Sequence, residues 1–367
     1  MPELPAKPLN REPDIADLVS SFITQKEGLA YDRNHCPHPQ LDGSTHRVRI
    51  DGAVNKELRL SKADLETDYP QHSVVCALQC AGNRRHTMRT LIREVQGVDW
   101  FDGAVMNCKW TGPRLKDILE KAGITLTKEQ RKTAHVAFAC YAIECQDDTW
   151  YGASIDLARA LRDDADVLVA TKMNDEDLPI GHGFPMRIVT PGIAGARAVK
   201  WVEQITVQVE ESRNHYQKRD YKVLPPDAVD AESAEPYWGT TPPIQEMPVN
   251  SVIAVPEGGS TIKRDDEGCV TVKGYALPSG DDGPVVKVEV STNGEQWVEA
   301  ELLSYSEEGK WSWKLWQAKV QMSAGKRQIL LSKATDAAGN TQPRKSQWNL
   351  RGVCYNGYGE ARELTTT

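Results

Sequence analysis

No stretch of this chain approaches the eighteen or so consecutive apolar residues of a membrane span. No Cys-x-x-Cys pair occurs among its eight cysteines, which removes a zinc ribbon and a thioredoxin-like site. Positive charge is also short: over 367 residues the formal net charge is −8. A nucleic-acid binder normally needs a basic stripe, so the charge argues against that class. A small anionic ligand stays compatible, because a few local arginines can set the field of a cleft. The amino end, Met1 to Pro8, shows no apolar stretch behind a basic head, and the carboxyl end lacks a Ser-Lys-Leu address. The expectation is a soluble intracellular placement, in the cytoplasm or an organelle lumen, with no membrane contact. Cys36, Cys76, Cys80, Cys108, Cys140, Cys145, Cys269 and Cys354 are expected reduced, and most of them as small buried hydrophobes.

What is present divides in two. Up to about residue 220 the pattern is mixed. A short helical pattern lies around Ile15 to Ile23. Val48 and Ile50, then Leu58 and Leu60, read as a strand pair about Asp51-Gly52. Leu115 to Ala122 reads as a helix stopped by Gly123. Strands are expected within 165–171, 186–190 and 199–209. Residues 222–250 are rich in proline and acidic side chains and cannot build a core of their own. Beyond them, short alternating segments are separated by turns such as Asn293-Gly294, a β-sandwich pattern. The expected class is α+β, a mixed domain over 1–240 and a sandwich over 241–367.

The segment Leu78-Gln79-Cys80-Ala81-Gly82-Asn83-Arg84-Arg85 is the most informative. Val74, Cys76, Leu78 and Cys80 share one side of a period-2 pattern, and Ala-Gly-Asn then breaks it. Cys80 is thus expected at a strand end, with Arg84 and Arg85 on the following loop. Fixed positive charge beside a thiol favours the thiolate, a nucleophile or a soft metal ligand, and prepares the cavity for an oxyanion.

This octapeptide resembles the molybdenum-ligand motif of the sulfite oxidase family, which includes the molybdenum domain of eukaryotic nitrate reductase. The resemblance implies Cys80 as metal ligand, with the remaining sulfur ligation from the dithiolene of a molybdopterin. Tyr31-Asp32-Arg33-Asn34-His35 is similar to a second motif, in which the arginine reaches the substrate oxyanion and the Asn-His pair helps hold the pterin. His182-Gly183-Phe184-Pro185-Met186-Arg187, continuing to Ala198-Val199-Lys200-Trp201, is similar to the family's pterin-phosphate cradle. Its glycines also let backbone N–H groups approach an anion closely. Ala198 stands where many relatives have serine, so a contact there comes from its backbone. Trp100 and Tyr221 match a pocket tryptophan and an active-site tyrosine. Arg351, in Trp348-Asn349-Leu350-Arg351, matches an arginine that completes the anion pocket of sulfite oxidases; nitrate reductases typically carry methionine there.

The resemblance covers about residues 12 to 358, with the motifs in the family's order. It implies the family's fold, a molybdopterin domain followed by an immunoglobulin-like sandwich that makes a homodimer. It implies oxidation of sulfite to sulfate, with electrons passed to oxygen or a cytochrome; the alternative is the molybdenum domain of a nitrate reductase. No haem or flavin segment is read. Residues 138–145 depart from the family pattern. Two readings from other classes are a cysteine hydrolase using Cys80 with His86, and a non-catalytic interaction module.

Overall fold

The computed structural model describes residues 7–367. The first part of the chain is built on two sheets. A five-stranded sheet runs in the order Leu58–Leu60, Val48–Gly52, Gln204–Gln208, His135–Cys140 and Tyr151–Asp156. Its first two strands are the expected pair, with Val48 opposite Leu60. Gln204–Gln208 joins Val48–Gly52 in parallel, which draws together segments about 150 residues apart. A four-stranded sheet holds Gln71–Gln79 beside Val105–Pro113, then Lys172–Met173 and Glu176–Asp177. Arg187–Val189 pairs separately with Leu168–Ala170.

The helix Leu115–Ala122 buries Leu115, Ile118, Leu119 and Ala122 on one face. This is the i, i+3, i+4, i+7 stripe that packs a helix on a core. Gly123 ends it at φ +75°, a left-handed conformation that glycine adopts without a Cβ penalty.

From Asn250 onward two antiparallel-dominated sheets face each other. One is Asn250–Val255, Cys269–Leu277, Lys314–Gln321 and Glu301–Leu302; the other holds Thr261–Ile262, Gly359–Thr366, Gly325–Asp336, Val285–Ser291 and Val298–Glu299. Val272, Ile253 and Trp316 of the first meet Val288, Val290 and Leu330 of the second in one buried cluster. The alternation read from the sequence is the inward face of this sandwich.

Two expectations change. The stretch 222–250 is a packed connection: Leu224, Ala228 and Ala234 are buried with Trp348 and Leu350. Arg85 is not on a loop but opens the helix Arg85–Leu91, with Arg84 at its N-cap at φ +66°. The strand pattern broke at Ala-Gly-Asn, and a helix begins right after the Arg84 cap, with the loop pinned at both sides. Asn83 donates to the Tyr275 hydroxyl at 2.9 Å and accepts from Ala104 N at 3.1 Å.

Candidate active site

Cys80 follows directly on the strand Gln71–Gln79 and is 4% exposed. Its N–H donates to Ala104 O at 2.9 Å, and its carbonyl accepts from Asn83 N at 3.0 Å. The thiol faces a cavity also lined by Tyr31, Arg33, Asn34, His35, His182, Arg187, Ala198, Lys200 and Tyr221. These residues come from three distant segments and from the stretch after Gln204–Gln208. Among the described residues, no aspartate or glutamate lines this cavity.

Its cations are held by neutral groups. Arg187 donates to His182 O at 3.0 Å and Ala198 O at 3.1 Å, and its guanidinium lies over the Trp110 ring. Lys200 Nζ donates to Gly181 O at 2.9 Å and also to the Asn34 side-chain oxygen. Burial pulls Lys200 down to about 7, with the Arg187 charge adding to it. Burial likewise pulls Arg187 down to about 10. His182 falls to about 3, through burial and then the Lys200 and Arg187 charges, and is neutral. Buried charge without a counter-charge is costly. An anion in the cavity would relieve that cost.

Arg33 and His35 form the second wall. Arg33 Nη2 lies 2.9 Å from His35 Nε2, and the Tyr221 hydroxyl lies 2.6 Å from the same nitrogen. The same Arg33 nitrogen lies 3.3 Å from Nδ1, so the guanidinium sits against both ring nitrogens, and the one lone pair of Nε2 cannot accept from Arg33 and Tyr221 together. Burial, with the Arg33 and Arg351 charges, holds the His35 pKa well below its ordinary value, so the ring is neutral. The imidazole packs against Tyr216 at 4.0 Å between ring centres. Asp32, whose side chain is held by Arg11 at 2.8 Å, stands behind this wall.

Arg85, Trp100, Val199 and Arg351 are not among the residues lining the cavity. Arg85 is buried, donating to Val98 O at 2.6 Å and Arg351 O at 3.0 Å. A Cβ on Gly82 would meet its guanidinium at 2.4 Å, so a larger residue there would displace the Arg85 head from this place. Arg351 pairs with Asp220 at 2.8 Å, one residue before Tyr221. Arg85 nevertheless feels the charges of both Arg351 and Arg33, so the three form one positive field. Trp100 is 2% exposed, packs edge-on to Tyr31 at 6.5 Å, and its indole N–H finds no partner among the described residues. Val199 lies in the buried core behind the cradle.

Sequence reasoning missed Cys36, Met106 and Tyr151, which line the cavity; Gly195, Ala196 and Trp201, which also line it, belong to the cradle segment but had no role of their own. Cys36 stood next to a named motif and was available as a signal. Tyr151 was not: its hydroxyl reaches Ala196 O at 2.9 Å from a different sheet.

The comparisons fit this geometry. Residues 35–216 match the family model for an oxidoreductase molybdopterin binding domain, and residues 241–361 that for a Mo-co oxidoreductase dimerisation domain. Sulfite oxidase of Arabidopsis thaliana is 38% identical over 364 residues, covering 95% of this chain and 89% of that protein. The chain belongs to the sulfite oxidase family. Mitochondrial sulfite oxidase of Homo sapiens is 42% identical over 359 residues; the match covers 96% of this chain but 63% of that protein, so this chain spans less than two thirds of it. A nitrate reductase [NADH] of Ulva prolifera is 35% identical over 355 residues, which is 94% of this chain and 41% of that one. Among solved structures, the sulfane dehydrogenase SoxCD from Paracoccus pantotrophus shares the family fold. Its TM-score is 0.76, at 23% identity, covering 97% of this chain and 88% of that one. No helix among the described residues is long and apolar enough to cross a membrane.

Proposed function

We propose that this chain oxidises sulfite to sulfate at a molybdenum centre whose protein ligand is Cys80. The supporting observation is a buried thiol on the wall of a cavity that holds Arg33, Arg187 and Lys200 and no carboxylate. That donor set suits a soft metal ligand beside an anionic group. Lys200, Arg187, His182 and the Ala198 backbone would hold the pterin phosphate; Tyr31, Asn34 and His35 would border the pterin, with Asp32 and Val199 supporting their segments.

The bound group supplies the oxygen-atom transfer and takes up two electrons. The balance is sulfite plus water giving sulfate, two protons and two electrons. The protein's share is to hold the anion. Arg33 would hold an oxygen of the anion by a charge-assisted hydrogen bond, and Arg85 and Arg351, just outside the lining, would add their charge to the field that orients it. Trp100, packed behind Tyr31, backs the substrate side. Tyr221, held by His35, aligns its hydroxyl toward the reacting oxygen. The electrons then leave to oxygen or to an external acceptor such as a cytochrome. Nitrate reduction is the weaker reading, given Arg351 and the lower identity to the nitrate reductase.

We also place the division between the molybdopterin domain and the sandwich at residues 240 and 241, and assign the sandwich to a symmetric homodimer, the commonest closed assembly. The deciding experiment is metal analysis of the purified protein, with sulfite assayed against oxygen and against cytochrome c. Molybdenum near one per chain with sulfite turnover is the expected result. Metal-free protein from a host that makes the cofactor would overturn the reading. A monomeric mass at micromolar concentration would remove the dimer.

A further inference from the structure

Cys36 and Cys145 come from distant parts of the chain and meet at the cavity wall. Gln146 N donates to His35 O at 3.0 Å, so the neighbours of the two cysteines are bonded backbone to backbone. Both side chains belong to one apolar cluster, 3% and 8% exposed. Each cysteine is the immediate chain neighbour of one end of that bond, and the two thiols shift each other's pKa in opposite directions.

Their surroundings differ. Cys36 lines the cavity and faces Lys200 and Arg33; Cys145 stands behind it. Cys145, with those two charges, lowers the Cys36 pKa against burial. Cys145 is itself raised by Cys36 and by burial. Cys36 is thus the thiol of the two that loses its proton more readily, and Cys145 the one that keeps it. The pair Cys76 and Cys108 makes an internal contrast. These lie directly opposite on neighbouring strands, but both are fully buried and pushed up by burial, and neither reaches the cavity.

We propose that Cys36 and Cys145 are a peroxide-reactive dithiol that closes to a disulfide in the cavity wall. The Cys36 thiolate attacks one oxygen of hydrogen peroxide; the O–O bond breaks, hydroxide leaves, and Cys36 becomes a sulfenic acid. The Cys145 sulfur then attacks the Cys36 sulfur, the S–O bond breaks, and the thiol proton leaves with the hydroxyl as water. In sum, two thiols and one peroxide give one disulfide and two waters. The resolving thiol intercepts the sulfenic acid before irreversible oxidation inside the cavity. The link also fixes the segment that carries Asp148, whose carboxylate accepts from Asn214 Nδ2 and His215 N, both at 2.9 Å. That segment frames Tyr216 and so the His35 ring. This gives residues 138–145, which depart from the family pattern, a role of their own.

The test is peptide mapping by mass spectrometry of reduced holoenzyme treated with one equivalent of hydrogen peroxide and digested without reductant. The expected product is a Cys36–Cys145 cross-linked peptide, reversed by dithiothreitol, with Cys76 and Cys108 still thiols. In Cys145→Ser the cross-link is absent and Cys36 advances to sulfinic acid, while turnover before peroxide matches the parent. A Cys36 that stays a thiol in the parent protein, or that pairs with Cys140 instead, overturns the proposal. The cross-link and the oxidation state of Cys36 are read from peptides and not from turnover, so their failure is separable from failure of the proposed activity.

Discussion

The Tyr221 hydroxyl lies 2.6 Å from His35 Nε2 across 186 residues of sequence. Tyr221 is also held at φ +45°, a left-handed conformation unusual for an aromatic residue. Its carbonyl accepts from Ile244 N at 2.8 Å, and more loosely from Arg197 Nη2 at 3.4 Å. The hydroxyl is therefore aimed from both ends, by its backbone and by the imidazole. Tyr221→Phe is expected to lower sulfite turnover by about tenfold, the scale of one charge-assisted hydrogen bond, with molybdenum content unchanged. Steady-state kinetics with metal analysis checks it. Parent-like turnover would take Tyr221 out of the chemistry.

Arg351 pairs with the buried Asp220, so its guanidinium is partly committed before substrate arrives. Arg351→Met removes one of three cations and leaves that carboxylate alone. The Michaelis constant for sulfite should rise by about one to two orders of magnitude, from roughly 1.5–3 kcal/mol of lost hydrogen bonding. Turnover should fall less, because the ground state and the transition state share the anion grip. Kinetics with sulfite and nitrate measure both effects, and a small gain with nitrate is expected. An unchanged constant for sulfite would place Arg351 outside substrate binding.

Cys80→Ser exchanges a soft ligand for a hard one. Sulfite oxidation should be lost while the pterin, held mainly at its phosphate, is retained. Pterin fluorescence after acid release measures the second quantity. Full activity in the variant would end the assignment of Cys80 to the metal.

Lys200 sets a pH dependence. Its pKa falls from an ordinary 10.5 to about 7 in the folded chain. Between those values the unfolded chain binds the extra proton, so stability rises with pH across that window, and the penalty is complete below it. Cofactor-free protein should therefore melt higher as pH is raised from about 7 toward about 9. Lys200→Met should flatten that rise, and thermal unfolding at several pH values compares the two. Equal slopes would mean that Lys200 is not the buried cation responsible.

Arg84 joins the two halves of the molecule. Its guanidinium donates to Asn250 Oδ1 at 2.7 Å, Gly357 O at 2.8 Å and Tyr358 O at 2.7 Å, and lies over the Tyr355 ring. Arg84→Met removes those bonds and takes the cation from Asp102, 3.4 Å from its Nε, while Gln342 still donates to Gly357 O and Asn250 Oδ1; the cost is about 3–5 kcal/mol by analogy with broken buried ion pairs. Denaturant unfolding reads this directly. A loss under about 1 kcal/mol, the scale of an exposed pair, would contradict the clamp.

The sequence alone determined the local elements. Alternation ended at Cys80, the apolar stripe of 115–122 ended at Gly123, and Val48 and Leu60 paired as read, although Asp51-Gly52, read as their turn, belongs to the strand Val48–Gly52 and the chain turns after it. Alternating strands beyond residue 250 were enough for a sandwich. These features depend on the periodicity of a few neighbouring residues and on turn chemistry, which short-range sterics impose wherever the segment ends up. The family, too, was legible, because its motifs are contiguous.

Only the tertiary structure decided where side chains point. Arg84 and Arg85 are adjacent in sequence, yet one turns into the sandwich and the other is held between Val98 and Arg351. The Asp220 partner of Arg351 and the meeting of Cys36 with Cys145 likewise had no local signature. Such partners lie a hundred or more residues apart, and no short-range rule relates them. They are fixed when the sheets pack and every buried polar group must find its mate in what that packing brings within reach.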